Sequence, residues 1–369
     1  MKHKNAPEKM TCTEPEYVGK FRCDASKCDA FCCQAHWGIE IDRGTYQKYQ
    51  KITPKRKRQA ILAHLKYQPE ANNYRALSDD GKYCYFLNAE HLCSLQKEHG
   101  EDFLSDTCIT FPRRLNRIDN VIERGLLLSC PVAAELALLS GEPIKFVERE
   151  TNADERLLIM DTLSSAANSQ AVDFIAVQRH CVDILQDKSR PIDERLARLG
   201  FYLSQGEYAP PKFAPEEYRQ NITHIIDSVY RAEEGFTQRH RELLAASNNE
   251  DFANIRTASR RLLQRQGQPW ENYLVNEFFL MLYPFRIKDS MLLSYELYIA
   301  AAKLAEFMVT AYVLSHDGED TEERLLMRAV SIMSRLLDHN NDYVEKLALS
   351  AVRLNIEPVL FMNGYLDVG

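Results

Sequence analysis

The sequence lacks any run of about 18 uninterrupted apolar residues, the length needed to cross a bilayer, which predicts a chain with no integral membrane segment. It also lacks a surplus of positive charge, because 46 Lys and Arg face 53 Asp and Glu and leave a formal net charge of −7. A general nucleic-acid binder is therefore not expected, since phosphate contacts need Lys and Arg gathered on one face. No apolar core follows the charged first residues, so no secretory signal is indicated and a cytoplasmic protein is expected.

Cysteine is what the sequence has in excess, and it is unevenly placed. Nine of the ten cysteines lie at or before Cys130, and Cys181 stands alone. A reducing compartment disfavours a disulfide framework. A chain of 369 residues can also bury a sizeable core, so metal is not needed merely to stabilise a small fold. The clustering therefore indicates thiolates gathered for one shared task.

Two groups of cysteines make up this cluster. The first reads Cys23-x4-Cys28-x3-Cys32-Cys33, and a loop this short loses little entropy when its thiolates converge on a metal. The second group is dispersed, and any one of its members alone would more often be a buried core residue than a ligand. Together the two groups predict a metal-binding set of eight thiols: Cys23, Cys28, Cys32, Cys33, Cys84, Cys93, Cys108 and Cys130.

The cysteine pattern determines the identity of the metal less directly. Four thiolates suit tetrahedral zinc and a [4Fe–4S] cluster equally well by ligand type. No Cys-x2-Cys knuckle of the kind common in zinc sites occurs, and adjacent Cys32 and Cys33 cannot easily bind one zinc ion without strain. The residues favour iron–sulfur and leave zinc open, while Cys12 and Cys181 are interpreted as structural thiols.

The chain is predicted to be mainly α, with a cysteine-rich metal module at 1–145 and an all-α helical domain at 146–369. The first region is expected to be loop-rich with a few helices, such as the stretch from Thr45 to His64. In the second, apolar residues from Leu293 to Ala311 recur at three- and four-residue spacing between charged residues, which predicts an amphipathic helix. Further helices are predicted over 155–167, 172–186, 216–236, 251–266, 271–282 and 322–339.

Three blocks of sequence carry a resemblance to a known family. They are FRCDASKCDAFCCQAHWGIEID, YCYFLNAEHLCSLQKEHGEDFLSDTCITFPRR and IERGLLLSCPVAAELAL, and they span roughly residues 12 to 140. In this order they resemble the conserved blocks of flagellin lysine-N-methylases, and also the broader cysteine-rich group of zinc- or iron-chelating proteins.

The resemblance implies an enzyme that methylates lysine ε-amino groups of flagellin, its protein partner, with S-adenosylmethionine as methyl donor and a [4Fe–4S] cluster as cofactor. It also implies that the eight cysteines named above are the motif positions, without saying which four bind iron. Two other interpretations stay open: a non-catalytic zinc- or iron-binding module that docks a partner, and a redox or metal-chaperone protein.

The chain departs from both familiar ways of binding this methyl donor. The Cys-x3-Cys-x2-Cys triplet of radical S-adenosylmethionine enzymes is incomplete, because Cys28 and Cys32 have the first spacing but Ala35 occupies the third position. No G-x-G-x-x-G loop follows a strand, as a Rossmann methyltransferase would require. One hypothesis is that an open iron of the cluster binds the amino and carboxylate groups of the donor.

Direct methyl transfer needs a proton acceptor, since a lysine amine has an unperturbed pKa near 10.4. No single residue is singled out as that base. Trp37 and Tyr85 are candidates for a lysine channel or for packing, and Arg113-Arg114 for binding the donor carboxylate or for salt bridges within the fold. Lys55 to Arg58 is interpreted as a solvated helix face. The candidate bases near the cysteines are His36, Glu40, His91, Glu98, His99, Glu101 and Asp106.

Overall fold

The computed structural model describes residues 9–24, 31–33, 39–76, 84–90, 92–152, 158–165, 173–206, 238–249, 252–287 and 290–338. Within these ranges strands and short helices occupy the first half of the chain, and long helices occupy the second half. The prediction of a mainly α protein is confirmed in part, because two β-sheets accompany the helices.

A five-stranded mixed sheet joins residues that are far apart in sequence. Its strands are β1 (Lys9–Pro15), β5 (Arg113–Ile118), β6 (Val121–Leu126), β7 (Phe146–Asn152) and β8 (Ile159–Leu163), in the order β7-β1-β6-β5-β8. Strand β1 pairs antiparallel with β7 and parallel with β6, while β5 pairs antiparallel with β6 and parallel with β8. The β5–β6 hairpin turns through Asp119, whose φ of 51° is favourable for Asp in a tight two-residue turn.

A second, smaller unit surrounds most of the cysteine-bearing segments. Its three-stranded sheet has the order β2-β4-β3, formed by β2 (Glu40–Ile41), β3 (Leu65–Gln68) and β4 (Asn73–Ala76). Short helices cover it: α1 (Arg43–Tyr49), α2 (Lys55–Ala63), α3 (Ser94–His99) and α4 (Asp106–Thr110). Its core of apolar residues includes buried Cys84, and Cys33, Cys93 and Cys108 pack against that core.

The stretch from Thr45 to His64 forms two helices, α1 and α2, because Pro54 lies between them and cannot continue a helix begun before it. Helix α5 (Pro131–Leu138) follows the β5–β6 hairpin and has a proline in its first turn. The remaining helices of the described chain are α5 (Pro131–Leu138), α6 (Phe174–Leu185), α7 (Ile192–Leu203), α8 (Gln238–Asn249), α9 (Phe252–Arg265), α10 (Gly267–Leu280), α11 (Met291–Ser315) and α12 (Glu322–Asp338).

Helix α11 confirms the predicted helix from Leu293 to Ala311, but it runs through the main core and is buried on nearly all sides, so the predicted amphipathic character is wrong. Glu296, Lys303 and Glu306 are all less than a tenth exposed, although the sequence pattern places charge on a solvated face. Lys303 Nζ lies 2.9 Å from both Glu306 Oε2 and Asp193 Oδ1, so these charges neutralise one another inside the protein.

By length and composition α11 is the one helix in the described ranges that could cross a bilayer, and 89% of its most apolar stretch is buried within the protein. That burial is what a core helix shows.

Two further expectations about 146–369 are corrected. The region is not all α, because it contributes strands β7 and β8, and the helix predicted over 155–167 is wrong, since β8 occupies its centre. Both strands extend a sheet begun by earlier parts of the chain, and the pairing between distant strands cannot be read from local periodicity.

Helices α6, α9, α10 and α12 confirm four predicted stretches, and the predicted helix at 216–236 lies outside the described residues. The division at residue 145 stays a prediction, although the five-stranded sheet draws strands from both sides of it.

Candidate metal centre

Backbone hydrogen bonds bring the two groups of cysteines together. The N–H of Cys84 donates to the carbonyl oxygen of Cys33 across 2.6 Å, and the Sγ atoms of Cys32 and Cys33 are 4.0 Å apart. A bridge between Leu87 and Cys93 folds the segment after Cys84 back on itself. Thiols from the first and second groups therefore lie in one neighbourhood.

A cavity of about 370 Å³ opens onto these thiols. Its walls carry three classes of side chain: thiols, charged groups and apolar groups. Six of the eight predicted ligands line it, namely Cys23, Cys32, Cys33, Cys93, Cys108 and Cys130. The seventh, Cys84, is buried in the adjoining core, and the eighth, Cys28, lies outside the described residues.

Three of the lining cysteines lie at the beginnings of helices. Cys93 precedes α3 and Cys130 precedes α5, both with extended backbone at the N-cap position, and Cys108 is in the first turn of α4. The backbone N–H groups of Leu95 and Gln96 act to lower the pKa of the Cys93 thiol, although burial raises that pKa overall. Unpaired N–H groups at a helix start favour a thiolate over a thiol.

Burial and mutual repulsion raise the pKa values of these thiols and so disfavour their thiolate forms. Burial raises the pKa of Cys84 to about 12, and the charges of Cys108, Cys93 and Cys32 add to the rise. Burial likewise raises the pKa of Cys108 to about 12, with Cys32 and Cys93 contributing. The hydrogen bond with Cys33, together with burial, holds the pKa of Cys32 well above its usual range. Several buried thiolates could coexist here only with a compensating positive charge.

The donor set therefore fits a thiophilic metal centre in chemistry, since soft thiolates suit iron–sulfur clusters and zinc. Among the described residues, no three His, Cys, Asp or Glu side chains are placed to hold a single metal ion. The eight-cysteine ligand set stays a prediction. The two cysteines interpreted as structural lie apart from the cavity, Cys12 in strand β1 and Cys181 in helix α6, and both are buried.

Arginines form another part of the cavity wall. Arg22, Arg113 and Arg124 all line it, together with the carboxylates of Asp24 and Glu101. The Arg113 guanidinium carbon lies 5.1 Å from the centre of the Phe21 ring, in a cation–π arrangement. Its neighbour Arg114 points elsewhere and forms an ion pair with Asp161 at 2.5 Å.

The candidate bases separate by position. Glu101 lines the cavity, whereas Glu98 pairs with Lys57 and Glu40 accepts a hydrogen bond from Asn73. The His99 ring packs against Phe103, with ring centroids 4.8 Å apart. Asp106 is the first residue of α4, and the side chain that caps this helix is that of Ser105. Two other candidate bases, His36 and His91, lie outside the described residues, and so does Trp37, the candidate for a lysine channel.

Tyr85 does not line the cavity but stacks on His64 at a centroid distance of 3.7 Å. Lys55 and Arg56 are exposed on α2, as a solvated helix face requires.

Sequence reasoning missed three charged residues of the site. Arg22 and Arg124 line the cavity, and Arg335 of helix α12 acts to lower the pKa of Cys32. Arg22 precedes Cys23 and Arg124 lies in a block quoted for the resemblance, so proximity to cysteines is a signal for these two. Nothing local marks Arg335, which reaches the thiols only through the packing of the helical region.

Comparisons with known proteins point to the same family. Residues 217–355 match the family model described as the FliB lysine N-methylase C-terminal domain. The chain is 32% identical over 145 residues to a lysine-N-methylase of Salmonella typhimurium, which covers 38% of this chain and 36% of that protein. A lysine-N-methylase of Salmonella choleraesuis matches over the same extent with the same identity.

A flagellar biosynthetic protein FliU of Salmonella muenchen is 29% identical over 154 residues, or 41% of this chain and 90% of that protein. The match to the lysine-N-methylases spans about a third of their length, 36%. No solved structure matches the chain. By these partial matches the chain is similar to lysine-N-methylases and to a flagellar biosynthetic protein, which agrees with the resemblance carried by its cysteine-rich blocks.

Proposed function

We propose that this protein is a cytoplasmic protein-lysine N-methyltransferase that methylates surface lysines of flagellin, with S-adenosylmethionine as the methyl donor and a [4Fe–4S] cluster held by the cysteines. The names of its relatives support lysine methylation and a role in the flagellum. The observation that carries the proposal is a cavity of about 370 Å³ lined by thiols, arginines and the carboxylates of Asp24 and Glu101 together with apolar side chains. A volume of this size lies within the usual range for small-ligand pockets, about 300 to 1,000 Å³.

The cluster would take its ligands from the thiols that face or adjoin this cavity, chiefly Cys32, Cys33, Cys93 and Cys108 with Cys84 behind them. When bound, it would supply a charged iron centre beside the donor. The helix α3 N–H groups and the Arg335 guanidinium favour the ionised forms of Cys93 and Cys32, but burial and the Cys32–Cys33 hydrogen bond leave both pKa values raised, so the positive charge of the iron would be needed to hold the thiolates.

The target lysine must lose a proton before its nitrogen can attack the methyl group. Glu101 is the one described candidate base that lines the cavity, and we assign it to bind the lysine ammonium and accept that proton. The apolar side chains of Phe21, Phe111 and Val132 line the same space and would exclude water from the reacting nitrogen. A desolvated amine is a stronger nucleophile than a hydrated ammonium.

The test is methylation of purified flagellin by the anaerobically purified chain with S-adenosylmethionine. We expect each methyl group to add about 14 Da to lysine-containing flagellin peptides in the mass spectrum. The Cys108→Ala variant should give no mass shift, and the Cys181→Ala variant, which removes an equally buried thiol outside the cavity, should retain it.

Ultraviolet–visible absorption and metal analysis of the same samples distinguish iron–sulfur from zinc. An iron-replete protein that binds flagellin yet leaves its mass unchanged would contradict the enzyme and favour the non-catalytic module.

A further inference from the structure

Two of the cavity arginines form no ion pair with a carboxylate of the residues that the structure describes. Arg124 is engaged, since its Nε donates to the buried carboxylate of Glu14 at 2.6 Å. By contrast, no carboxylate of the described residues lies within 4.0 Å of the Arg22 or Arg113 guanidinium. Arg113 donates to the backbone oxygen of Ile109 at 3.0 Å, and Arg22 to that of Phe21 at 2.6 Å.

These contacts fix the two guanidinium groups without neutralising them. A guanidinium has five N–H donors, and each backbone contact uses only one nitrogen of the fork. Burial lowers the pKa of Arg113 and the charges of Arg124 and Arg22 lower it further, whereas the charge of Glu101 raises it, so Arg113 lies near two other cations and one carboxylate. Like charges held on one wall are destabilising unless an anion lies between them.

We propose that Arg22 and Arg113 form the carboxylate-binding end of the methyl-donor pocket, an assignment that rests on the proposed function. The planar guanidinium fork matches a carboxylate in geometry and can bind both of its oxygens. The adenosyl end of the donor would then lie along the apolar wall formed by residues such as Phe111, Pro112 and Val132. A donor held in this way would present its sulfonium methyl group between the thiols and Glu101.

A small molecule is favoured over an acidic segment of the protein substrate. The cavity volume suits a single ligand of the donor's size, and both arginines line the same cavity as the thiols, Arg113 partly buried and Arg22 exposed. This assignment differs from chelation of the donor carboxylate by an open iron, because the carboxylate would be bound by side chains of the chain itself.

The experiment compares two ligands that differ only in the carboxylate, S-adenosylmethionine and decarboxylated S-adenosylmethionine. Their dissociation constants are measured by anaerobic calorimetry on the full iron-loaded chain. We expect the wild type to prefer the carboxylate-bearing ligand. Arg113→Gln and Arg22→Gln should each weaken its binding about 10- to 100-fold and leave the decarboxylated ligand within about twofold, as loss of a charge-assisted contact implies. The affinity of Arg113→Lys for S-adenosylmethionine should lie between those of the wild type and Arg113→Gln.

Two controls separate this role from a structural one. Arg117→Gln removes an arginine from the same strand as Arg113, but one that bonds the Asp119 carbonyl and does not line the cavity, so its affinities should equal those of the wild type. Arg22 is exposed on a loop, so Arg22→Gln tests the site without loss of core packing. Iron content and melting temperature of each variant are measured in parallel.

The outcomes are distinct. Equal weakening of both ligands, or a carboxylate preference that survives in both glutamine variants, would overturn the arginine assignment while leaving the donor in place. Unchanged donor affinity with lost flagellin affinity would overturn it and assign the arginines to the protein substrate. Failure of the wild type to bind either ligand would overturn the donor in the proposed function, and this assignment with it.

Discussion

The Cys84 N–H and the Cys33 carbonyl oxygen are 2.6 Å apart, and this hydrogen bond ties the two cysteine groups of the chain to each other. The bond joins backbone atoms and does not use the thiols themselves. It places Cys84, Cys93 and Cys108 beside Cys32 and Cys33 in a small core built from few apolar residues. Such a core buries little apolar surface, and a metal centre would supply part of its stability.

Removal of iron should therefore loosen this small unit and leave the helical core intact. After anaerobic chelation we expect amide hydrogen exchange to accelerate in residues 84–108 by at least about tenfold, because metal binding and local folding are coupled. Peptides from helix α11, which is buried in the main core, should exchange at unchanged rates. Uniform acceleration across both regions, or none, would contradict a metal centre confined to the cysteine unit. Exchange measured by mass spectrometry decides between these results.

Glu101→Gln should lower the turnover number for lysine methylation by about 100- to 10,000-fold, the usual contribution of a general base. The amide keeps the shape of the side chain but cannot accept the lysine proton. Glu98→Gln is the matched control, since Glu98 pairs with Lys57 on the neighbouring helix and does not line the cavity. Initial rates at saturating donor, measured across pH 7 to 9.5, provide the check. A Glu101→Gln rate within twofold of wild type would assign the base elsewhere.

Glu123 makes the stability of the protein fall as pH rises. Burial raises the pKa of this carboxyl to about 8, although Gln178 donates a hydrogen bond to it at 3.4 Å. Between the unfolded pKa near 4.5 and about 8 the folded state holds a proton that the unfolded state has released. The stabilisation is complete below the lower pKa and is lost as pH approaches the higher one, by up to about 5 kcal/mol.

Glu123→Gln should remove this pH-dependent loss of stability. The melting temperature of the variant at pH 8 should therefore be higher than that of the wild type, and its melting temperature should change less between pH 5 and pH 8. The Gln side chain is uncharged at every pH and still accepts from Gln178. Calorimetric melts at four pH values provide the comparison, and parallel profiles for wild type and Glu123→Gln would refute the prediction.

Gly200 allows helix α7 to approach the ring of Tyr295 on helix α11. A Cβ at this position would lie 2.7 Å from the Cε1, Cζ and hydroxyl oxygen atoms of Tyr295, and that hydroxyl donates to the Leu196 carbonyl at 2.8 Å and fixes the ring. Gly200→Ala should therefore lower the free energy of unfolding by about 1 to 3 kcal/mol, as overpacking of a buried site does. Gly267→Ala is the control, since nothing lies within 4 Å of its Cβ position and a gain of up to about 1 kcal/mol is expected. Urea denaturation of both variants measures the difference.

Sequence patterns predicted the helical elements well where a helix packs along one face. The stretches that became α6, α9 and α12 carry an apolar repeat at helical spacing, and that repeat is visible without knowledge of any partner. The same reasoning failed at β8, because a strand at the edge of a sheet is stabilised by its neighbour β5 and not by its own periodicity. It also failed for the charges of α11, whose partners include Asp193 on another helix.

The candidate site divides in a similar way. Cysteine spacing and the family resemblance singled out the thiols, because short loops and residue type alone limit what such a cluster can bind. Arg335 could not have been found, since it reaches Cys32 from a helix roughly three hundred positions away in the chain. The separation of Arg113, which lines the cavity, from Arg114, which pairs with Asp161, was equally beyond the sequence.

The amino-acid sequence by itself determined the chemistry available to this protein: many soft thiol ligands near one end, long helices near the other, and a resemblance to lysine-N-methylases. Only the tertiary structure decided which charged groups face those thiols and which are neutralised inside the fold. The physical reason is that ligand type and helical periodicity are local properties of the chain, whereas burial, ion pairing and the walls of a cavity depend on segments that meet only after folding.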